Sequence, residues 1–550
     1  MTYIKGENRG QVTMLPDCID DLIGQDNPVR VIDAFIDGLD MDKAGFQRST
    51  PNVTGRPSYD PRDLLKLYVY GYFNKIRSSR KLMTECGRNI ELFFLLNKLT
   101  PDFRTISDFR KDNAKALRNV FRAFVKICMK LDLYQKELLA IDGSKFRAVN
   151  SKQNSSYNAD TLKKKLERID ENIAKFLSQM DKEDSTQQSD RRYTPEELKS
   201  VIEELSNRKE KYLGYLEDLS AAGETQKLTT DPEARVMQSK DGFHCCYNVQ
   251  TAVDQGSHLI AEYEVTNCCT DQGLLKEVSD STREMLEVET LEIVADKGYE
   301  SRKDIENCVM NGIIPNVAFK YDKEERLYSV DYVETEISEE EKSSTKPEDI
   351  QKCIKAGVLP TCYENTAIEV ELQEQTALSC FTLNENGTVT CPMGKILSKT
   401  KQKGTNTIYA NKDACRQCPN KCTGSQKYKT VSFGSSTKYV PVRMYGSVRC
   451  RLNPIPDNIP ANPFNHTFDR KDYAPLKKVV LRIKGDDKKI RERMCLSEHP
   501  FGTVKWHHGA HYLLCKGKEK ATAELGLSFL AYNLKRAINM VGIDRLLAVM

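Results

Sequence analysis

Two aspartates stand in the same local setting. Asp142 ends the apolar run Leu138-Leu139-Ala140-Ile141 and precedes Gly143-Ser144-Lys145, while Asp296 ends Leu291-Glu292-Ile293-Val294-Ala295 and precedes Lys297-Gly298-Tyr299. A short apolar run bounded by turn residues predicts a buried strand, so each run delivers a carboxylate at its C-terminal end. Hard oxygen ligands of this kind suit Mg²⁺ or Mn²⁺, and a small group of them can hold two ions for phosphoryl transfer. Taken singly, either residue could equally be an aspartate capping a strand end. A third carboxylate from a helix on the sheet would complete a site. Glu498 is the candidate, in the stretch Arg493-Met494-Cys495-Leu496-Ser497-Glu498-His499-Pro500-Phe501.

The thiols form a second pattern. Most of the 18 cysteines are scattered among apolar neighbours, as expected of reduced, buried thiols in a cytosolic protein. Cys391, Cys415, Cys418 and Cys422 differ, because the last three are spaced C-x2-C-x3-C. Four thiolates can hold one structural Zn²⁺ tetrahedrally, and reduced, unligated thiols are the alternative. His507, His508 and His511 lack the His-Glu-x-x-His spacing of a zinc hydrolase, and no Walker-type glycine loop is present.

The elements that must position these groups differ in charge. The chain has 550 residues with 83 Lys plus Arg against 79 Asp plus Glu, a formal net charge of +4. That near-balance conceals segregation. Residues 51–130 carry 17 basic and 7 acidic residues on a helical pattern, residues 331–380 carry 4 basic and 12 acidic, and residues 471–520 carry 13 basic and 6 acidic. The front segment is either a phosphate-contacting face, with Arg77, Arg80 and Arg104 as candidate DNA contacts, or a solvated charged surface. Thr105 or Ser107 is expected to cap its later helix. Leu162, Leu166, Ile169, Ile173, Phe176 and Met180, then Leu198, Ile202, Leu205, Lys209, Tyr212, Leu216 and Leu219, recur at spacings of three and four. With the capping box at Thr194-Pro195-Glu196-Glu197, they predict an antiparallel helical hairpin. The acidic segment reads as an exposed linker. Residues 247–253 and 259–265 predict a β-hairpin, and Thr522 to Asn539 a terminal helix.

Several motifs in this order resemble the DDE transposases of bacterial insertion sequences, relatives of the IS-four and IS-five type groups. They are Ile76-Arg77-Ser78-Ser79-Arg80, Pro101-Asp102-Phe103-Arg104-Thr105-Ile106, Ile141-Asp142-Gly143-Ser144-Lys145-Phe146 and Asp231-Pro232-Glu233-Ala234-Arg235. Tyr247-Asn248-Val249-Gln250, Ala295-Asp296-Lys297-Gly298-Tyr299, Glu498-His499-Pro500-Phe501-Gly502-Thr503-Val504-Lys505 and Leu530-Ala531-Tyr532-Asn533-Leu534-Lys535-Arg536 complete the set. The resemblance covers nearly the whole chain. It implies a ribonuclease H-like α/β core whose catalytic and Mg²⁺- or Mn²⁺-binding triad is Asp142, Asp296 and Glu498. It also implies a motif of Tyr, Arg, Glu and Lys, in which Lys505 keeps its spacing from Glu498. The Arg position is Met494 here, with Arg493 one residue early, and the Tyr position is Arg491. Lys505 would reach a phosphate of the transposon end. Trp506, the single tryptophan, either stacks on an unpaired base or sits in a core.

These readings give an α/β protein with a mixed-sheet core. Residues 1–135 form a basic helical DNA-binding domain. The catalytic core begins at 136–320, is interrupted by the hairpin at 155–225 and by a cysteine-rich insertion at 321–475, and resumes at 476–550. The expected partners are double-stranded terminal inverted repeats and target DNA, with a homodimer in the complex. The rival functions are a catalytically inactive DNA-binding protein of the same fold and a zinc-stabilised assembly scaffold. Residues 1–17 lack the apolar core of a secretory signal and no run is long enough to span a membrane, so a cytoplasmic location is expected.

Overall fold

A computed structural model of the chain describes residues 18–47, 58–150, 156–184, 194–239, 241–319, 325–375, 381–384, 386–391, 393–403, 406–418, 428–434 and 476–550. It divides into two compact units: Met1–Ile305, Pro315–Ala318 and Asp487–Met550 form one, and Glu306–Ile314 and Phe319–Asp486 the other. Among the described residues no helix is long and apolar enough to cross a membrane.

The first unit opens with helices α1 (Val29–Asp37), α2 (Pro61–Phe73), α3 (Ser79–Cys86), α4 (Ile90–Leu96), α5 (Phe103–Asp112) and α6 (Ala114–Lys130). Local chemistry sets their starts. Asp60 caps α2, with Pro61 at its first position, and Asn89 caps α4. Neither Thr105 nor Ser107 caps α5, as the sequence had suggested. Asp102 does, accepting from the backbone N–H of Arg104 and Thr105 at 2.8 and 3.2 Å, because an ionised carboxylate directly after Pro101 is the stronger acceptor.

Much of the basic charge of this segment is spent inside the unit. Lys66 pairs with Asp33 and Asp37 at 2.7 and 2.8 Å. Arg118 and Arg122 both reach the buried Glu262, at 3.5 and 2.7 Å. Arg110 is buried over the Tyr68 ring and donates to the Tyr72 hydroxyl at 3.0 Å. The helices therefore dock through their cations as well as their apolar faces.

Asp63 lies against this arrangement without a matching gain. Burial first, then repulsion from Asp60, pushes its carboxyl up to about 6. Ionised Asp63 thus costs stability once the pH rises past the unfolded value of 3.8, with the full cost reached above about 6. The displacement corresponds to roughly 3 kcal/mol at full strength. Solvent screening at a half-exposed position reduces this to about 1 kcal/mol. Asp63→Asn is expected to raise the unfolding free energy from urea melts at pH 7.5 by that amount and to leave it nearly unchanged at pH 4.

Strands follow: β1 (Leu139–Arg147), β2 (Arg235–Ser239), β3 (Gly242–Asp254), β4 (Ile260–Thr266), β5 (Leu291–Ala295) and β6 (Ile313–Val317). Their order is β2-β3-β1-β5-β6, with β4 also paired to β3. β3 runs antiparallel to β1, β2 and β4, whereas β5 runs parallel to β1. Between β1 and β2 stand α7 (Ala159–Asp184) and α8 (Pro195–Ala222), the expected antiparallel hairpin. Thr194 and Glu197 form its capping box. Lys209 bonds Asp170 across the two helices at 2.6 Å, and Leu162, Leu219 and Tyr157 close the base. After the sheet come α9 (Leu275–Leu286), α10 (Asp487–Gly502) and α11 (Lys518–Val541). From Ala521 to Leu534 every residue of α11 is buried, so this helix is a core rod rather than an amphipathic cover. It packs on α6 and α2 and against β4.

The second unit contains an antiparallel sheet in which Leu476–Lys484 lies between Ile368–Gln375 and Glu325–Asp331. A five-stranded sheet runs from Thr382–Leu383 to Thr430–Gly434 around Phe381, Val389, Leu397, Tyr409 and Val431. The described part of the acidic stretch, residues 331–375, is folded rather than an exposed linker. Helix Pro347–Lys355 buries Ile350, Cys353 and Ile354, and Tyr363 is fully buried. Its Glu369 and Glu371 find cations on the central strand: Arg482 lies 3.8 and 3.6 Å from them and 3.6 Å from Glu325 on the other flanking strand, and Lys484 pairs with Glu369. Cross-strand neutralisation explains how a segment so charged can be ordered.

Candidate active site

The site begins with register. β1 and β5 pair Leu139 with Ile293, Ala140 with Val294 and Ile141 with Ala295. Asp142 and Asp296 are the next residues on each strand. Neighbouring strands lie about 4.8 Å apart, so parallel pairing brings the two carboxylates to the same sheet edge. β1 does not stop at Asp142, however. It continues to Arg147 because β3 keeps pairing with it, from Asp142 opposite Thr251 to Arg147 opposite Cys246. Only β5 turns away, through a single 3₁₀ turn, Lys297–Tyr299, whose Gly298 N–H donates to Asp296 Oδ1 at 2.7 Å.

Helix α10 lies across this edge. Its Leu496 packs with Leu138, Ala140 and Val294, and Ile490 joins them. That seam turns Arg493 and Ser497, one helical turn apart, towards β1. Arg493 Nη1 stands 3.3 Å from Asp142 Oδ2, and Gly143 N–H donates to Asp142 Oδ1 at 2.9 Å. Burial pushes the Asp142 carboxyl above its ordinary value. The Ser497 hydroxyl, the Arg493 guanidinium and the Gly143 N–H oppose this in part, and Asp296 adds to it.

Glu498 follows Ser497 but faces solvent. Among the described residues no three His, Cys, Asp or Glu side chains are gathered closely enough to hold a metal ion, so Asp142, Asp296 and Glu498 are not drawn into a closed set. The structure does place Arg493, whose position in the motif is displaced by one residue, directly on Asp142. Met494 is exposed.

Lys505 does not extend into solvent. It sits in a π-helical turn, Thr503–His507, and its ammonium donates to Ser144 Oγ at 2.6 Å and to Lys145 O at 2.7 Å, 4.5 Å from the Phe146 ring. Trp506 is 70% exposed and stacks on His511 at 5.5 Å, which excludes a core role. His508 is buried, and burial followed by repulsion from Lys535 lowers it to about 4.

The three arginines of the front segment separate. Arg80 and Arg104 are exposed and flank Phe103, at 4.4 and 5.8 Å from its ring. Arg77 instead turns inwards. It is buried and donates to Glu524 Oε1 at 2.6 Å, to Tyr512 O at 2.5 Å and to Gly509 O. A buried carboxylate is a better partner for a desolvated guanidinium than a phosphate it cannot reach.

In the second unit, Cys391 forms a tight turn in which Gly394 N–H donates to its carbonyl at 2.8 Å and Lys395 N–H to its Sγ at 3.3 Å. Cys415 lies on helix Lys412–Arg416, with Cys418 just after it, and Cys422 lies outside the described residues.

Asp271 was missed in the sequence. It accepts from Asn248 Nδ2 at 2.7 Å and Gln250 Nε2 at 2.9 Å, and Lys145 Nζ is 3.5 Å away. The signal available was the polar pair Asn248 and Gln250 within an otherwise apolar buried strand, which demands a polar partner.

No curated protein and no solved structure matches the chain. Residues 17–112, the segment holding α1 to α5 and Arg77, Arg80 and Arg104, match the model of a family described as Transposase domain (DUF772), which supports a transposase family for this chain.

Proposed function

We propose that the chain is a DDE-type transposase that cuts double-stranded DNA at the terminal inverted repeats of an insertion sequence and joins the ends to target DNA, acting as a homodimer on DNA. The observation that carries this reading is the parallel register that brings Asp142 and Asp296 together beneath α10. The strand arrangement supports a ribonuclease H-like core, since β4, β3 and β1 are antiparallel while β5 runs parallel to β1. The all-oxygen donor set fits Mg²⁺ or Mn²⁺, which would supply an activated water or 3′-hydroxyl for in-line attack and charge stabilisation of the leaving oxygen.

The chain's own residues have distinct parts in this reading. Arg493 and Ser497 favour the ionised form of Asp142 against its burial and fix its orientation. Glu498, one residue beyond Ser497, is the third carboxylate. Lys505 braces the Ser144–Lys145 backbone, so it sets the shape of the strand beside Asp142. Trp506 offers an exposed ring for an unstacked base, and Arg80 and Arg104 offer phosphate contacts beside Phe103.

The test is strand cleavage of duplexes carrying the element's ends. Cutting at the repeat boundary that needs Mg²⁺ or Mn²⁺ and stops with EDTA is expected. Cutting indifferent to EDTA, or DNA binding without cutting, would overturn the reading. The cysteines add a separate expectation: one Zn²⁺ per chain held by Cys391, Cys415, Cys418 and Cys422 should appear by elemental analysis. Cys415→Ser should lower that stoichiometry towards zero.

A further inference from the structure

One face of α10 serves Asp142, through Arg493 and Ser497. His499 lies two residues beyond Ser497, which turns it about 200° around the helix and away from that centre. On this other side α10, the π-helical turn and α11 border a cavity of about 450 Å³, within the ~300–1,000 Å³ of small-ligand sites. Its wall is basic. His499, His507, His508, Lys535 and Arg536 line it, and among the described residues no carboxylate does. Tyr532, Lys535, Arg536 and Asn539 follow one another on α11 at spacings of three and four, so a single helical face supplies one side of the wall.

The cations are not neutralised from within. Lys535 lies over the Phe73 ring at 4.7 Å and Arg536 donates its Nε to Ser257 O, and neither pairs with a carboxylate among the described residues. After burial, the groups that act most strongly on His508 are Lys535, His507 and Lys75, all of them basic. Burial and then Lys75 also lower Lys535. Like charges gathered in a recess repel one another unless an anion joins them.

A second observation points the same way. His508 is 4% exposed, lines the cavity, and has no hydrogen-bond partner at Nδ1. Buried polar atoms ordinarily find a partner. The ammonium groups of Lys535 and Lys75 can only donate, so a protonated Nδ1 needs an acceptor from outside, and a negatively charged one also relieves the repulsion. The wall is fixed before any ligand arrives. Tyr532 Oη donates to His258 O at 3.0 Å, so the imidazole is the donor in the 3.1 Å contact between His499 Nδ1 and Tyr532 Oη.

We propose that this cavity is a phosphate-binding site separate from the aspartate centre, in which Lys535 and Arg536 supply charge and His508 Nδ1 donates to a phosphate oxygen. The phosphate belongs either to a DNA strand or to a small phosphorylated molecule, since both present the same tetrahedral oxyanion to a guanidinium and an ammonium. The site itself does not depend on strand cutting; only the DNA source rests on the transposase reading.

Equilibrium dialysis of the full chain against radiolabelled inorganic phosphate, at an ionic strength held constant with chloride, tests the site without DNA. Saturable binding at a single site is expected. Lys535→Met should weaken it by roughly tenfold or more, and so should His508→Leu, which removes the ring nitrogen and no surface charge. A second arm assigns the source. For a DNA duplex, the slope of log affinity against log salt should fall by about 0.9 in Lys535→Met if a DNA phosphate occupies the cavity, and stay unchanged if a small phosphorylated molecule does. Wild-type phosphate affinity in either variant, or no saturable binding by the wild-type chain, overturns the proposal. A wild-type chain that binds phosphate but no DNA keeps the site and overturns the transposase reading instead. If His508→Leu fails to fold, Lys535→Met decides alone.

Discussion

Asp142→Asn is expected to reduce metal-dependent DNA cleavage by on the order of 10³-fold or more, about 4 kcal/mol of transition-state stabilisation, while the protein remains folded. The two halves of this expectation have the same cause. Asp142 is half-buried next to Asp296, and its folded value is raised above 3.8 by that burial despite Arg493, Ser497 and the Gly143 N–H. A carboxylate whose folded value is raised costs stability in its ionised form, and the cost is present above the unfolded value and relieved as the pH falls below it. Asparagine keeps the shape and removes the charge, so the thermal midpoint at pH 7 should be equal to or above that of the wild type. The advantage should disappear below pH 4. Cleavage of a labelled terminal-repeat duplex beside a thermal melt at both pH values checks both halves. Retained cleavage would remove Asp142 from the chemistry, and a collapse in stability would show the carboxylate to be a structural anchor for Arg493.

The pairing of Asp142 with Asp296 was legible because a parallel strand pair reads as two uninterrupted apolar runs, and both ended on an aspartate. The continuation of β1 was not. Asp142-Gly143-Ser144-Lys145 has the composition of a turn, and only the long antiparallel partner β3 holds it extended. Asp271 was hidden for the complementary reason, since it lies in a loop whose importance comes from Asn248 and Gln250 two strands away. Charge was legible in amount but not in destination. Arg118 and Arg122 settle on Glu262, and the acids at 369 and 371 on Arg482, across separations that no local pattern reveals. Trp506 shows a further limit: a lone large aromatic is ordinarily core, yet here the π-helical turn that buries Val504 and half-buries Lys505 rotates the indole outwards.

Glu524→Ala is expected to destabilise the first unit by about 3–5 kcal/mol, and Arg77→Ala by less. Glu524 is 1% exposed and accepts from Arg77 and from the backbone N–H of Leu514 and Cys515, each at 2.9 Å to Oε2. Its loss takes the carboxylate from a buried guanidinium and from two part-buried backbone donors together, whereas loss of Arg77 leaves the carboxylate its two N–H partners. The double variant should fall well short of the sum, which a double-mutant cycle from urea melts would measure. The pair also fastens α3's entry to the loop after Lys505, because Arg77 donates to the carbonyls of Gly509 and Tyr512. DNA binding separates this account from a phosphate contact. An arginine that neutralises a phosphate contributes about 0.9 to the slope of log affinity against log salt. Arg80→Ala and Arg104→Ala should each reduce that slope, and Arg77→Ala, measured at a temperature where it remains folded, should leave it unchanged. A reduced slope for Arg77→Ala would return that residue to the DNA interface and leave Glu524 buried without the role assigned to it here.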